Sequence, residues 1–238
     1  MKTAIVTGAS RGVGRAIAER LAGEGYRLLI NCRSRFELLD HAAAELSAKT
    51  SCIPIHGKIS GELLERYLGG SAVSQEELLL VNNGGISRFQ LAQEVTDGEL
   101  MELMEANLLS MFRLCRALIP YLLRSGNGRI LNISSVWGIC GASMESVYSM
   151  TKGGVNAFTR ALGRELAPSR IPVNAIALGA VDTDMNSWMG EEERAALNEE
   201  IPFGRMASVS EAAEFAMLLL KSPHYLTGQV IQFDGGWI

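Results

Sequence analysis

The stretch Lys2-Thr3-Ala4-Ile5-Val6-Thr7-Gly8-Ala9-Ser10-Arg11-Gly12-Val13-Gly14 decides the fold. Its first half, Lys2 to Thr7, is a short apolar run closed by glycine, the pattern of a buried strand. Its second half is a glycine-rich turn, and an alanine-rich helical pattern follows from Arg15 to Gly23. Strand, glycine turn and helix in that order form a cradle for the pyrophosphate of a dinucleotide. Gly8 and Gly12 let the backbone turn and approach the phosphates, and Gly14 lets helix and strand pack closely. The spacing is G-x-x-x-G-x-G rather than the commoner G-x-G-x-x-G, so the position directly after the first strand carries as much weight as the glycines.

Outward from this stretch, strand and helix patterns alternate without a break. Strands are expected at Arg27 to Ile30, Ser51 to Ile55, Leu78 to Val81, Arg129 to Ile133, Ile171 to Leu178 and Thr227 to Phe233. Helices are expected at Phe36 to Lys49, Ile59 to Leu68, Asp97 to Leu123, Val147 to Leu166 and Ser208 to Leu220. Thr96 or Asp97 caps the long helix, and Ser208 with Glu211 makes a capping box for the last one. There are no repeats or linkers. The pattern predicts an α/β protein with one domain over residues 1–238, built as a doubly wound parallel sheet of about seven strands. Residues 181–205 read as a loop and a small helix after a strand's carboxyl end, where a lid would sit. Its glutamates, Glu191 to Glu193, Glu199 and Glu200, read most plainly as solvated helix charge.

The second strand ends Asn31-Cys32-Arg33-Ser34-Arg35, where an NAD site would place an acidic residue for the ribose 2′-hydroxyl. Arg33, with Arg11 in the glycine turn, offers instead the positive charge and forked donors that suit a 2′-phosphate. NADP(H) is therefore the expected cofactor. The fourth strand ends in the polar turn Asn82-Asn83-Gly84-Gly85, suited to backbone lying against a flat ligand.

The chemistry is expected between Ser134 and Lys152. Tyr148 and Lys152 are four residues apart, and Ser135 is thirteen residues upstream of the tyrosine. On a helix the two side chains share one face. An ammonium beside a phenol favours the phenolate, and Ser135 ends a buried strand, where open α/β sheets bind ligands. A hydroxyl to hold a carbonyl oxygen, a phenol to protonate it and a lysine to tune the phenol make a carbonyl-reduction site. A Tyr-x-x-x-Lys pair alone is common on helix surfaces, so its weight comes from the rest of the chain.

The bulk numbers agree. The 238 residues are 47% hydrophobic and 20% charged, which fits a soluble globular protein. A net charge of −4 argues against nucleic acid as the main partner, because phosphate binding needs a basic face. The cysteines Cys32, Cys52, Cys115 and Cys140 lack metal-site spacing and read as reduced, mostly buried thiols of a cytoplasmic protein. No uncharged apolar run approaches the length of a membrane span, and no signal peptide precedes the first strand.

These motifs, from Thr7-Gly8 to Asp234-Gly235-Gly236, resemble the short-chain dehydrogenase/reductases, and among them the bacterial 3-oxoacyl-[acyl-carrier-protein] reductases. The resemblance implies a catalytic tetrad of Asn107, Ser135, Tyr148 and Lys152. Tyr148 would be the general acid and Ser135 would hold the carbonyl. Lys152 would bind the nicotinamide ribose and lower the tyrosine pKa, and Asn107 would hold a water in the proton relay. The cofactor positions fall on Gly8, Ser10, Arg11, Gly12, Val13, Gly14, Asn82, Gly84, Val181 and Thr183, the last two at the carboxamide. A homotetramer is implied as well, with the Asn107 and Tyr148 helices paired across an interface.

The departures are specific. Where the family carries an aspartate that reads the adenine, this chain has Lys58. An alanine of the family's polar turn is Gly84, and the proline expected before Gly179 is Leu178. The basic residues for carrier-protein docking are matched only by Arg124 and, roughly in register, Arg170. A second resemblance, carried by Ser135-Val136-Trp137-Gly138, Gly141-Ala142-Ser143 and Lys152-Gly153-Gly154, is to reductases of the 5-aminopentanone modification on elongation factor P. There Trp137 would lie near the substrate mouth, and the acidic lid would favour an amine-bearing ketone. Other readings are a catalytically idle dinucleotide-binding regulatory protein and an NAD-linked alcohol dehydrogenase.

Overall fold

The computed structural model describes residues 2–69, 77–186 and 189–238. Its strands are β1 (Lys2–Thr7), β2 (Arg27–Cys32), β3 (Cys52–His56), β4 (Glu77–Asn82), β5 (Asn127–Ser135), β6 (Val173–Leu178) and β7 (Val230–Phe233). They lie in the order β3-β2-β1-β4-β5-β6-β7, and every neighbouring pair is parallel. Parallel neighbours need crossover connections, and these are helical. The helices are α1 (Gly12–Gly23), α2 (Phe36–Ser47), α3 (Gly61–Leu68), α4 (Asp97–Met104), α5 (Ser110–Ser125), α6 (Trp137–Cys140), α7 (Ser146–Leu166), α8 (Glu191–Glu200) and α9 (Val209–Leu220). The expected doubly wound α/β architecture is present.

A sheet covered on both faces needs apolar residues at consecutive positions rather than alternate ones. β1 illustrates this: Ala4 and Val6 join the core beneath α1, α2 and α9, while Ile5 joins the one beneath α3, α5 and α7. Both cores are fully buried at their centres. The expected capping box of Ser208 with Glu211 is present, and Thr96, one of the two expected caps of the long helix, forms a capping box with Glu99.

Three features differ from expectation. The long helix is not continuous: a π turn spans Glu105–Leu109 between α4 and α5. The strands β4 and β5 run further than their apolar cores, out to the polar Asn82 and Ser135. A short helix, α6, fills the loop after β5. The run Asp97–Ser125 is long and apolar enough, by length and composition, to cross a membrane, but Leu114, Cys115, Leu118 and Leu122 bury its inner face against the sheet. All four cysteines are free. Cys32 and Cys115 are buried as expected, while Cys140 is exposed because it ends α6 at the surface.

Candidate active site

The carboxyl ends of the strands open into one cavity of about 1080 Å³. That is at the top of the roughly 300–1,000 Å³ range for a single small ligand, which leaves room for a dinucleotide and a second molecule. The glycine turn forms one wall and is locked to the turn after β4. Asn83 Nδ2 donates to the Thr7 and Gly8 carbonyls, both at 3.1 Å. The Asn83 and Gly84 N–H groups both donate to Thr7 Oγ1 at 3.0 Å. A β-carbon on Gly14 would lie 2.3 Å from Asn83 Nδ2 and 2.5 Å from the Gly8 oxygen, so only glycine lets α1 reach this close. On Gly84 the same atom would stand 3.5 Å from its neighbours, ordinary contact that makes the missing alanine a mild change.

Gly8, Ser10, Arg11, Gly12, Val13, Asn82, Gly84, Val181 and Thr183 all line the cavity, together with Asn107, Ser135, Tyr148 and Lys152. Gly14 lies behind the lining and acts through packing. Lys152 and Tyr148 come from one face of α7, Ser135 from the end of β5 and Asn107 from the π turn. All four side chains are buried. The Lys152 ammonium donates to the Ile133 carbonyl at 2.9 Å and sits 5.6 Å from the centre of the Tyr148 ring. The Trp137 N–H donates to Ser135 Oγ at 3.2 Å, which fixes that hydroxyl.

Asn107 explains the π turn. Its Oδ1 accepts from the Ile86 N–H at 2.8 Å, and its Nδ2 donates to the Ile86 carbonyl at 2.9 Å and to Thr151 Oγ1 at 3.1 Å. Thr151 in turn donates to the Tyr148 carbonyl at 2.7 Å. The inserted residue turns Asn107 inward to grip both backbone groups of a loop, a local distortion of the kind found at functional sites. Thr151 had no sequence signal, since nothing in its helix marks a bond to a residue 44 positions away.

The protonation pattern corrects one expectation. Burial first, and the Glu145 carboxylate second, raise the Tyr148 pKa above its ordinary value, and a hydrogen bond with Ser135 acts in the opposite direction. Burial lowers the Lys152 ammonium to about 8. Desolvation thus outweighs whatever the Lys152 ammonium contributes, and the phenol stays protonated.

At the adenosine end the arginines have partners. Arg33 Nη2 donates to Glu102 at 2.6 Å, and Arg88 donates to the other oxygen of the same carboxylate at 2.7 Å. Arg11 pairs with Asp184 at the start of the 181–205 segment. Lys58 lies 3.3 Å from Glu105, which Arg113 also binds. Arg33 and Lys58 line the cavity, as does the carboxylate of Glu105. Arg124 stacks on Tyr121, 4.6 Å from its ring centre. Arg124 and Arg170 precede β5 and β6, so within one chain they stand at the opposite edge of the sheet from the cavity.

The other end is aromatic and acidic. Trp137 and Trp237 meet edge to face with centroids 4.8 Å apart, and Glu145, Glu193 and Glu200 line the cavity nearby. Trp237 had no sequence signal beyond its place after Gly235-Gly236. In the 181–205 segment, Val181 bridges to Ala207, Asp184–Asn186 form a 3-10 turn, and α8 has no buried residue. Ser187 and Trp188 lie outside the described residues.

The residues fit a dinucleotide: a helix amino terminus behind a glycine turn too tight for side chains, with cations at the end of β2. Fold and site together define a nicotinamide-dinucleotide oxidoreductase. The chain belongs to the short chain dehydrogenase family, whose model matches residues 2–194. The uncharacterized oxidoreductase YmfI of Bacillus subtilis is 39% identical, over 99% of this chain and 98% of its own length. The 3-oxoacyl-[acyl-carrier-protein] reductase FabG of Escherichia coli is 35% identical, over 99% of this chain and 96% of its own. Among solved structures, YwfH, an NADPH-dependent reductase involved in bacilysin biosynthesis, superimposes with a TM-score of 0.89 at 23% identity. That match covers 100% of this chain and 98% of the other.

Proposed function

We propose that this chain is an NADPH-dependent carbonyl reductase of the 3-oxoacyl-[acyl-carrier-protein] reductase type. The observation that carries the reading is the meeting of the Ser135 hydroxyl, the Tyr148 phenol and the Lys152 ammonium at the floor of the glycine-lined cavity. When bound, the reduced nicotinamide supplies a hydride to the ketone carbon. Ser135 holds the carbonyl oxygen, and Tyr148, protonated because burial raises its pKa, gives that oxygen its proton. Lys152 places positive charge beside the phenol as it becomes phenolate, and Asn107 keeps the loop at Ile86 in place beneath them. Arg33 and Arg11 take the 2′-phosphate, exchanging the carboxylates of Glu102 and Asp184 for it. Gly8, Ser10, Gly12, Val13 and Gly14 hold the pyrophosphate and pack the helix behind it, and Asn82 and Gly84 back the adenosine. Val181 and Thr183 orient the carboxamide, and residues 181–205 close over the substrate.

A second reading concerns the substrate. The acidic lining at Glu145, Glu193 and Glu200 favours a ketone that carries an amine, such as the 5-aminopentanone modification of elongation factor P. Loss of NADPH absorbance with purified protein tests both readings. Turnover of an acetoacetyl thioester alone supports the first, and turnover of the modified factor alone supports the second. Failure to oxidise NADPH with any activated ketone would make the chain a binding or regulatory protein instead. For the assembly we infer a homotetramer in the cytoplasm, in which the exposed Phe112 on α5 and Met150 on α7 would meet a second subunit.

A further inference from the structure

The β3 end of the cavity holds a slot to which no part of the reaction has been assigned. Its walls are apolar: Ile59 from the loop after β3, and Met111 and Leu114 from α5. Asn31 fixes that loop, donating through Nδ2 to the Ile55 and Gly57 carbonyls, both at 2.8 Å. Glu105, the first residue of the π turn, lines the cavity as well. Its Oε1 accepts from Arg113 and lies 3.3 Å from the Lys58 ammonium. Among the described residues nothing hydrogen-bonds its Oε2. The two cations, Arg113 before Lys58, hold the carboxyl below the usual carboxylate range, so it is an anion with one oxygen to spare. Dinucleotide sites of this kind put the adenosine ribose at the end of β2, where Arg33 stands, so the slot beside it at the end of β3 is within one base's reach.

We propose that Glu105 selects the base of the dinucleotide, its Oε2 accepting a hydrogen bond from the exocyclic amine of adenine. The proposal rests on the NADP(H) reading and moves base recognition to the helix side of the crevice, facing a loop where this chain has Lys58. Ile59, Met111 and Leu114 supply flat apolar contact to the ring. Adenine presents a donor at its 6-position, whereas hypoxanthine presents a carbonyl acceptor there, which a carboxylate repels. Glu105 is thus a specificity residue and takes no part in proton or hydride transfer.

The test uses the full chain without ketone and reads nicotinamide fluorescence during titration with NADPH, with reduced nicotinamide hypoxanthine dinucleotide phosphate, and with NADH. The parent is expected to bind NADPH about tenfold more tightly than the hypoxanthine analogue. In Glu105→Gln and in Glu105→Asp that ratio falls to within about twofold, because the first loses the charge and the second the reach. The NADPH-to-NADH ratio stays at the parent value in both. A parent that binds adenine and hypoxanthine forms alike overturns the proposal. So does a tenfold ratio that survives in both variants, including the case where all dinucleotides weaken together. A parent that binds no reduced dinucleotide overturns the cofactor reading first and this one with it.

Discussion

The Lys152 ammonium hangs over the Tyr148 ring, 5.6 Å from its centre, while it donates to the Ile133 carbonyl at 2.9 Å. The Ile133 carbonyl for the lysine and the Ser135 hydroxyl for the phenol do not repay the water the two groups have lost, so each is driven toward its neutral form. The lysine is brought down to about 8 and the phenol is pushed up.

The lysine makes stability depend on pH in a defined window. Its folded pKa of about 8 lies below the ordinary value of 10.5, so between the two the unfolded chain binds more protons and stability rises with pH. Below the window both states carry the charge and the fold bears its desolvation cost. Above it both are neutral and the cost is gone. Relative to a Lys152→Met variant, the parent should gain on the order of 3 kcal/mol from pH 7 to pH 10.5, read from urea midpoints. The Tyr148 shift has the opposite sign, but its contribution is lost only above pH about 10. A parent-to-variant difference that is flat across the window would show that the lysine is not desolvated.

Removing the phenolic oxygen should stop the chemistry and leave the packing. Tyr148→Phe keeps the ring against α7 and is expected to lower turnover of an accepted ketone by about 10²–10⁴-fold. NADPH affinity should move by less than about threefold, since the hydroxyl is one contact among many. A variant that turns over at the parent rate would place the proton donor elsewhere.

Arg33 is held by Glu102 in the free chain and is expected to trade it for the 2′-phosphate. Arg33→Ala should weaken NADPH by about tenfold or more at low salt while leaving NADH within about twofold. Equal weakening of both cofactors, or of neither, would remove Arg33 from the phosphate site.

The contact behind the glycine turn predicts a packing defect. In Gly14→Ala the added carbon meets the Gly8 oxygen at 2.5 Å, so α1 must move away from β1 at a cost of about 1–3 kcal/mol. The denaturant midpoint should fall with an unchanged slope, and NADPH affinity should fall with it. A midpoint within error of the parent would mean that Asn83 and the turn relax without cost.

Much of this was legible in the chain. The apolar runs gave each strand's core because a sheet covered on both faces buries consecutive residues, and the cap residues gave two helix starts. The strand ends were less legible because they change from apolar to polar where they enter the cavity, as Asn82 and Ser135 do. Tyr148, Lys152 and Ser135 could be found since spacing on a helix and position at a strand end are local. The π turn at Asn107, the bond to Thr151 and the pairing of Glu105 with Lys58 could not, because each joins residues far apart along the chain. The direction of the Tyr148 shift is not legible for a related reason: burial is a property of the packed molecule.

Gly138 sits where α6 crosses α7, and a β-carbon there would fall 2.6 Å from the Lys152 carbonyl carbon. The wall that meets the substrate is thus hinged directly on the backbone of the lysine at the reaction centre, with no side chain between them. The exposed Ile139, Cys140 and Ser143 beyond that hinge can vary in size and charge without displacing the proton donor. Substrate preference can therefore drift among descendants of this chain while its chemistry stays the same, as long as position 138 has no side chain.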